Sequence, residues 1–451
     1  MKKNLLRKTM YDSLTSLFSE DGIDASGKED VFGCFFGRDT SITVLKIIKS
    51  CSNKSKTFSL DHEKLLAVCR RSLLTMARLQ GKEINPDSGE EPGKFVHEFR
   101  RNNLERVLKT ENKHWLDKPW FIYPDGILRN YDSIDSTPLG LIAIYKYYQL
   151  TKDKEFLLEV LPAVKKGLAW IKDFGDLDND YLLEYRIHPD RKYGGLVVHS
   201  WTDSHESVTQ ASGLFPKYPI APVEVQGYAW LALKLWGKFF KRNQELAESS
   251  SYYSDLFKFA RLMKDEFNKK FIFINEGLYY AAQALDGDKN RIETLTGNPL
   301  LLLWASYRYK GIAYSILDRK YVVDLVTRAF KKDLFDKHAG IRTMSSKSLT
   351  YNPGQDSYHN GSFWPKLNGM AYEGLVKWRM ILHAKKLKSA TIKPIRHFGT
   401  PIELYIRNKN GEYIEYKGKD GITSSKNQAW SAAVVLDLLT ERKKRHLHQD
   451  I

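Results

Sequence analysis

The sequence predicts an all-α protein whose helices pair and close into a toroid, with long loops at one end forming the active site. Three observations carry this. Over 451 residues there is no Pro/Gly/Ser-rich linker and no short repeat of fixed period, so one domain over 1–451 is expected. A helical apolar rhythm recurs about eleven times, near 5–18, 40–50, 60–80, 137–150, 154–173, 222–241, 250–269, 299–316, 319–334, 364–387 and 426–441. Some of these stretches, 139–148 and 225–240 among them, are apolar nearly all round and must be covered on more than one face. An α-solenoid would cover them too, but it would show self-similar repeats. Segments 340–343 and 413–416 read as short loop hairpins. The longest loops, 175–221, 335–363 and 388–425, hold the least ordinary residues, and loops on a rigid scaffold are a usual home for function.

Composition narrows the class. Hydrophobic residues at 42% and charged ones at 28% exclude a disordered or collagen-like chain. Aromatics at 13% suit a large core and also the flat faces of sugars. The net charge of +17 raises nucleic acid as a partner. The basic residues are dispersed, however, and the one dense group, Arg442-Lys443-Lys444-Arg445, reads as a solvated tail. No nucleic-acid partner is expected. Cys34, Cys51 and Cys69 form no CxxC pair and no disulfide framework. Residues 1–14 lack the apolar core of a signal peptide, and no apolar run reaches the roughly 18–20 residues that span a bilayer. A cytoplasmic protein without a membrane partner is the expectation; the sequence leaves the oligomeric state open.

Several residues could carry chemistry. Asp203 sits in Ser200-Trp201-Thr202-Asp203, where an indole can desolvate the acid and suit it to donate a proton; an Asx turn or helix cap fits equally. Glu403 is a lone acid among apolar neighbours in Pro401-Ile402-Glu403-Leu404, either a base or a buried, paired structural group. Arg38-Asp39 enters a helix; the pair can grip vicinal sugar hydroxyls, or Asp39 or Thr40 can cap that helix while Arg38 forms a salt bridge. His97-Glu98 lacks the second His of a zinc-protease helix. Asp176-Leu-Asp178-Asn-Asp180 imitates a calcium loop, but Tyr181 stands where Gly is needed and Ile187 where Glu is needed. It reads as a surface turn, and no metal site or cofactor is expected.

The order of the motifs is more specific than any one of them. Phe36-Gly-Arg-Asp-Thr40, Glu91-Pro-Gly-Lys94, His97-Glu98-Phe-Arg100 and Asp135-Ser-Thr-Pro138 come first. Ser200-Trp-Thr-Asp203, Pro222-Val-Glu-Val-Gln226, Gly340-Ile-Arg-Thr343 and Tyr351-Asn-Pro353 follow. Tyr358-His-Asn-Gly-Ser-Phe-Trp-Pro365, Glu403 and Gln428-Ala-Trp-Ser431 close the series. Over about residues 20–440 this resembles the amylo-α-1,6-glucosidase domain of glycogen debranching enzymes and its bacterial relatives. The processing α-glucosidase I and mannosylglycerate hydrolase families belong to the same fold group.

The resemblance implies an (α/α)6 toroid, a six-hairpin glycosidase, with an inverting, exo-acting site for α-linked and especially α-glucosidic sugars. Asp203 falls on the general acid and Glu403 on the general base, two carboxyls expected roughly 6.5–9.5 Å apart. Arg38 and Asp39 fall on the pair that holds the terminal sugar; Trp201, Trp364 and Gln428 fall on the pocket wall. His97, Glu98, Arg100, Asp135, Glu224, Gln226, His359 and Trp430 complete the expected substrate-binding set. Two motifs depart: relatives read Trp-Pro-His-Asp-Asn where this chain has Trp364-Pro-Lys366-Leu367-Asn368, and Gly-His-Leu-Leu-Trp where it has Pro299-Leu-Leu-Leu-Leu-Trp304. The companion domains of full debranching enzymes are not seen, so glycogen is a less expected target than a smaller oligosaccharide or glycosylated solute such as mannosylglycerate. A non-catalytic glycan-binding protein on the same scaffold is the rival reading.

Overall fold

The computed structural model describes residues 2–52, 61–102, 104 and 118–440. The basic run 442–445 lies outside the described residues. The helices of the first half are α1 (Lys3–Thr15), α2 (Gly37–Ser52), α3 (His62–Arg78), α4 (Ser136–Thr151), α5 (Lys154–Asp173) and α6 (Val223–Arg242). Those of the second half are α7 (Tyr252–Lys270), α8 (Leu301–Trp304), α9 (Val322–Ala329), α10 (Pro365–Lys377), α11 (Ile381–Phe398) and α12 (Ala429–Leu439). Six of them follow one another in space: α2 lies against α4, α4 against α6, α6 against α8, α8 against α10, α10 against α12, and α12 against α2. Outside them, α1 packs on α12, α3 on α2, α5 on α3 and α4, α7 on α6, and α11 on α10.

Burial follows the sequence pattern. Every residue of α12 is buried, as is the whole run Pro365 to Leu375 of α10. The outer α7 instead buries one stripe, Tyr252, Leu256, Ala260, Met263 and Phe267, the spacing of a helix with one covered face. Close approach among the inner helices depends on glycine: a Cβ at Gly374 of α10 would stand 2.6 Å from the Trp304 backbone nitrogen. One continuous apolar cluster runs from Leu6 to Leu439. Among the described residues no helix is long and apolar enough to cross a membrane.

Three expectations needed correction. Segment 299–316 is not one helix: α8 is a single turn, followed by the antiparallel hairpin Ser306–Tyr309/Ile312–Ser315. Its strands alternate buried and accessible residues, and Lys310-Gly311 turns it with φ of 47° and 78°, the left-handed pair that two-residue hairpins favour. Segment 364–387 is broken after Lys377, where Arg379 takes φ 60°, and α11 then runs on to Phe398, into the start of what read as loop 388–425. No Gly or Pro signals that break, and Pro394 argued against a helix it in fact lies within. The hairpin Ile272–Asn275/Leu278–Ala281 was not anticipated. Segments 340–343 and 413–416 contribute short strands, pairing with Phe335–Asp336 and Tyr405–Arg407.

Asp176, Asp178 and Asp180 have carboxylate oxygens within 4.8 Å of one another. Asp176 accepts the N–H groups of Asp180 and Tyr181, while Lys289 lies 3.0 Å from Asp178 and 3.1 Å from Asp180. Lys270 adds a second contact to Asp180 at 2.7 Å. The cluster is a turn whose charge is answered by lysines.

Candidate active site

The inner helices begin at one common end, and their first residues meet there. Arg38, in the first turn of α2, donates from Nε to both oxygens of Asp135 at 2.9 Å, just before α4. Its Nη1 donates to Asp203 Oδ2 at 2.8 Å and its Nη2 to the Ser200 carbonyl at 3.1 Å. Gln428, at the start of α12, donates to Asp39 Oδ1 at 3.2 Å. Trp201 donates to Asn298, in the turn leading into α8, at 3.1 Å. Gly37 allows this approach, because a Cβ there would lie 2.1 Å from the Val96 carbonyl oxygen.

Above these helix ends lies a cavity of about 350 Å³. Arg38, Asp39, His97, Glu98, Trp201, Asp203, His359, Trp364, Glu403, Gln428 and Trp430 all line it. Residues more than 150 positions apart are thus brought to one space. Arg100, Asp135, Glu224 and Gln226 are not in that lining. Arg100 lies behind Glu98, with Nη2 2.7 Å from its Oε1, and Asp135 behind Arg38. Gln226 ties the backbone of Leu183 to Pro222. Glu224 is wholly buried at the start of α6. These four lie behind the lining residues and do not reach the cavity surface.

The two carboxyls of interest differ in environment. Burial raises the Asp203 pKa, while the charge and hydrogen bond of Arg38 pull it down. Arg38 grips one oxygen, and the side chain keeps 23% exposure toward the cavity. Glu403 accepts from Tyr358 Oη at 2.7 Å on Oε1 and from the Ser425 N–H at 3.0 Å on Oε2. Burial pushes its pKa up to about 7 against those two bonds, with the charge of Asp203 adding to the rise. Asp39 is pushed up to about 8 by burial, against the pull of Arg38. Burial also holds His97 and His359 well below the usual histidine range, so both are neutral at pH 7. His359 accepts the Ser204 N–H on Nδ1 at 3.3 Å, which leaves its proton on Nε2.

Behind the lining, Lys366 lies against the Trp201 ring. Its Nζ lies 3.7 Å from the Trp201 ring centroid and 5.8 Å from that of Trp430, without a hydrogen-bond partner in the protein. Burial pushes its pKa down to about 7. Both Glu224 oxygens, His359 Nε2, Gln428 Oε1 and Trp430 Nε1 are likewise buried without a protein partner. Folded proteins pair nearly all such groups, so their concentration at one end of the helices marks a functional region. Sequence reasoning missed Tyr358, although its motif was in view, and the half-buried rim formed by Val31, Phe32, Leu196, Tyr416 and Ile422. Tyr358 was shadowed by His359, the residue beside it with the more familiar chemistry.

The profile of amylo-alpha-1,6-glucosidase matches residues 119–437, well over half of the chain. The chain belongs to that family. This amylo-alpha-1,6-glucosidase family member is a glycoside hydrolase, and its solved structural neighbours include hydrolases of other sugars. It is similar to the GH63 mannosylglycerate hydrolase of Thermus thermophilus in complex with Tris and D-glycerate, with 14% identity and a TM-score of 0.64. That likeness covers 96% of this chain and 99% of the other. It is also similar to a Streptococcus pneumoniae metal-independent alpha-mannosidase in complex with alpha-1,6-mannobiose, at 15% identity and TM-score 0.58, over 97% of this chain and 93% of that one. At such identity the likeness concerns the fold. No curated protein sequence matches the chain.

Proposed function

We propose that the protein is an inverting, exo-acting α-glycosidase built as a single (α/α)6 toroid over 1–451, with Asp203 as general acid and Glu403 as general base. The observation that carries this is the meeting of Asp203, Glu403, Arg38 and Asp39 in one cavity, from three separate stretches of chain. The circular neighbour order of the inner helices supports the toroid.

In this reading Arg38 and Asp39 hold hydroxyls of the terminal sugar. Asp203 protonates the glycosidic oxygen while Glu403 takes a proton from water attacking the opposite face of the anomeric carbon. Tyr358 and the Ser425 N–H orient the Glu403 carboxylate. Raised pKa values suit an acid that must keep its proton and a base strong enough to remove one near neutral pH. Because each carboxyl senses the other's charge, the pH–rate profile reports the pair. The family assignment favours an α-glucoside. The mannose-acting structural neighbours support a second reading, an α-mannoside of a small solute.

Proton NMR of a defined α-glucoside and α-mannoside, read before mutarotation, tests the mechanism: the first product should be the β-anomer. An α-anomer would mean a covalent intermediate and a carboxyl separation near 5 Å.

A further inference from the structure

The cavity has two zones. Its floor is polar, formed by Asp39, Asp203, Glu403, His97 and His359 around Arg38. Its rim is apolar, formed by the half-buried Val31, Phe32, Leu196, Tyr416 and Ile422. A terminal sugar seated on the floor, with its linkage between Asp203 and Glu403, sends its leaving group toward that rim.

The charges at the rim have one sign. Besides the apolar residues, the carboxylates of Glu206 and the exposed Asp420 line the mouth. Among the described lining residues the one guanidinium or ammonium is that of Arg38, on the floor, and its nitrogens are already on Asp135, Asp203 and the Ser200 carbonyl. His97 and His359 are neutral at pH 7, and Glu98 is held by Arg100. Among the described lining residues, His205, exposed and stacked on Phe215 with ring centroids 5.3 Å apart, is the remaining basic side chain. An anionic leaving group would lose its hydration to apolar walls and face two carboxylates without a fixed cation.

We infer that the leaving-group side accepts an uncharged sugar or aglycone with an apolar face and rejects a carboxylate-bearing one such as glycerate. Specificity of this kind comes from a repulsive element as much as from an attractive one. The Phe32 and Tyr416 faces supply the attraction, and Glu206 with Asp420 the repulsion. The inference rests on the glycosidase reading for the direction in which the leaving group points. It separates this chain's specificity from that of its glycerate-binding structural neighbour.

The test uses matched twins on the full chain. One twin carries a 4-(methoxycarbonyl)phenyl leaving group and the other a 4-carboxyphenyl group, each on α-D-glucose and on α-D-mannose. Non-hydrolysable thioglycoside twins are measured by calorimetry, and the oxygen glycosides by turnover. The neutral thioglycoside should bind on the order of 10²-fold tighter than the carboxylate, and the gap should narrow with added salt. Glu206→Gln with Asp420→Asn should narrow it about tenfold. Equal or reversed affinities overturn the inference whatever the turnover. A preserved affinity gap without turnover of any oxygen glycoside sustains the inference and overturns the glycosidase reading. Failure of both twins to bind overturns both.

Discussion

Two lysines are buried among the inner helices, Lys46 in the C-terminal half of α2 and Lys366 in the first turn of α10, and the fold treats them differently. Lys46, toward the C-terminal end of α2, donates to Glu373 Oε2 at 2.8 Å and to the Gly369 carbonyl at 3.2 Å, with Asp437 3.7 Å away. Burial of Glu373 opposes its charge, but Lys46, Lys377 and Lys49 outweigh it and hold the carboxylate well below its usual range. Lys366, in the first turn of α10, has aromatic faces and no hydrogen-bond partner in the protein. Around Lys46 the fold pairs the charges it buries. At the N-terminal ends it leaves Lys366, Glu224 and several cavity groups unpaired. Around Lys46 the buried charges answer one another; around Lys366 several buried polar atoms stay open.

The largest effect that would sharpen this contrast is catalytic. Asp203→Asn and Glu403→Gln should each lower kcat/KM by roughly 10²–10⁴-fold, with thermal melting near the wild-type value. Asp203→Asn should be spared with an α-glycosyl fluoride, whose leaving group needs no proton, whereas Glu403→Gln should not. Equal sensitivity of both variants to the fluoride would break the assignment.

Next comes stability at the paired end. Lys46→Met removes the buried cation shared by Glu373 and Asp437 and leaves Lys49 and Lys377 at 3.9 and 3.7 Å from Glu373, so urea unfolding should show a loss of about 3 kcal/mol. The folded fraction should keep its kcat.

The third effect is pH-dependent. Glu403 and Asp39 keep their protons to about pH 7 and 8 in the native state, whereas the unfolded chain loses them near its ordinary carboxyl values of 4.5 and 3.8. The native state thus binds more protons between these limits. The contribution to stability is full at the acid side and is lost as pH rises through 7 and 8. Each such group adds a slope of at most about 1.4 kcal/mol per pH unit. Urea unfolding at pH 5, 6, 7 and 8 should show a shallower fall for Glu403→Gln than for the wild type; an unchanged slope would mean that burial of Glu403 is relieved in solution.

The smallest effect concerns Lys366→Met. Removing a cation seated on an indole should cost on the order of tenfold in kcat/KM, the worth of a desolvated cation–π contact. Stability should stay near level, since Lys366 makes no hydrogen bond in the protein. Lys366→Arg should recover part of the activity. A fall in melting temperature parallel to the loss of activity would make Lys366 a packing residue like any other.

The sequence by itself determined the helical character and most helix positions, because the 3.6-residue rhythm and all-round apolar stretches are local properties of the chain. It determined which short motifs carry unusual side chains, and their order along the chain was enough to point to the family. It misread 299–316 because a short turn followed by a hairpin keeps the same apolar content, and it missed the α10–α11 break because a left-handed Arg379 leaves no compositional trace. Tertiary structure alone decided which motif residues share the cavity. Glu98 and Arg100 share one face of a strand, yet only Glu98 reaches the lining, while Arg100 pairs with it from behind. Asp203 and Glu403 are two hundred residues apart, and only the packing of the inner helices, together with Arg38 and Tyr358, brings them to one space and sets their charge. Desolvation and the field of neighbouring charges depend on what surrounds a group in three dimensions, so no local pattern can encode them.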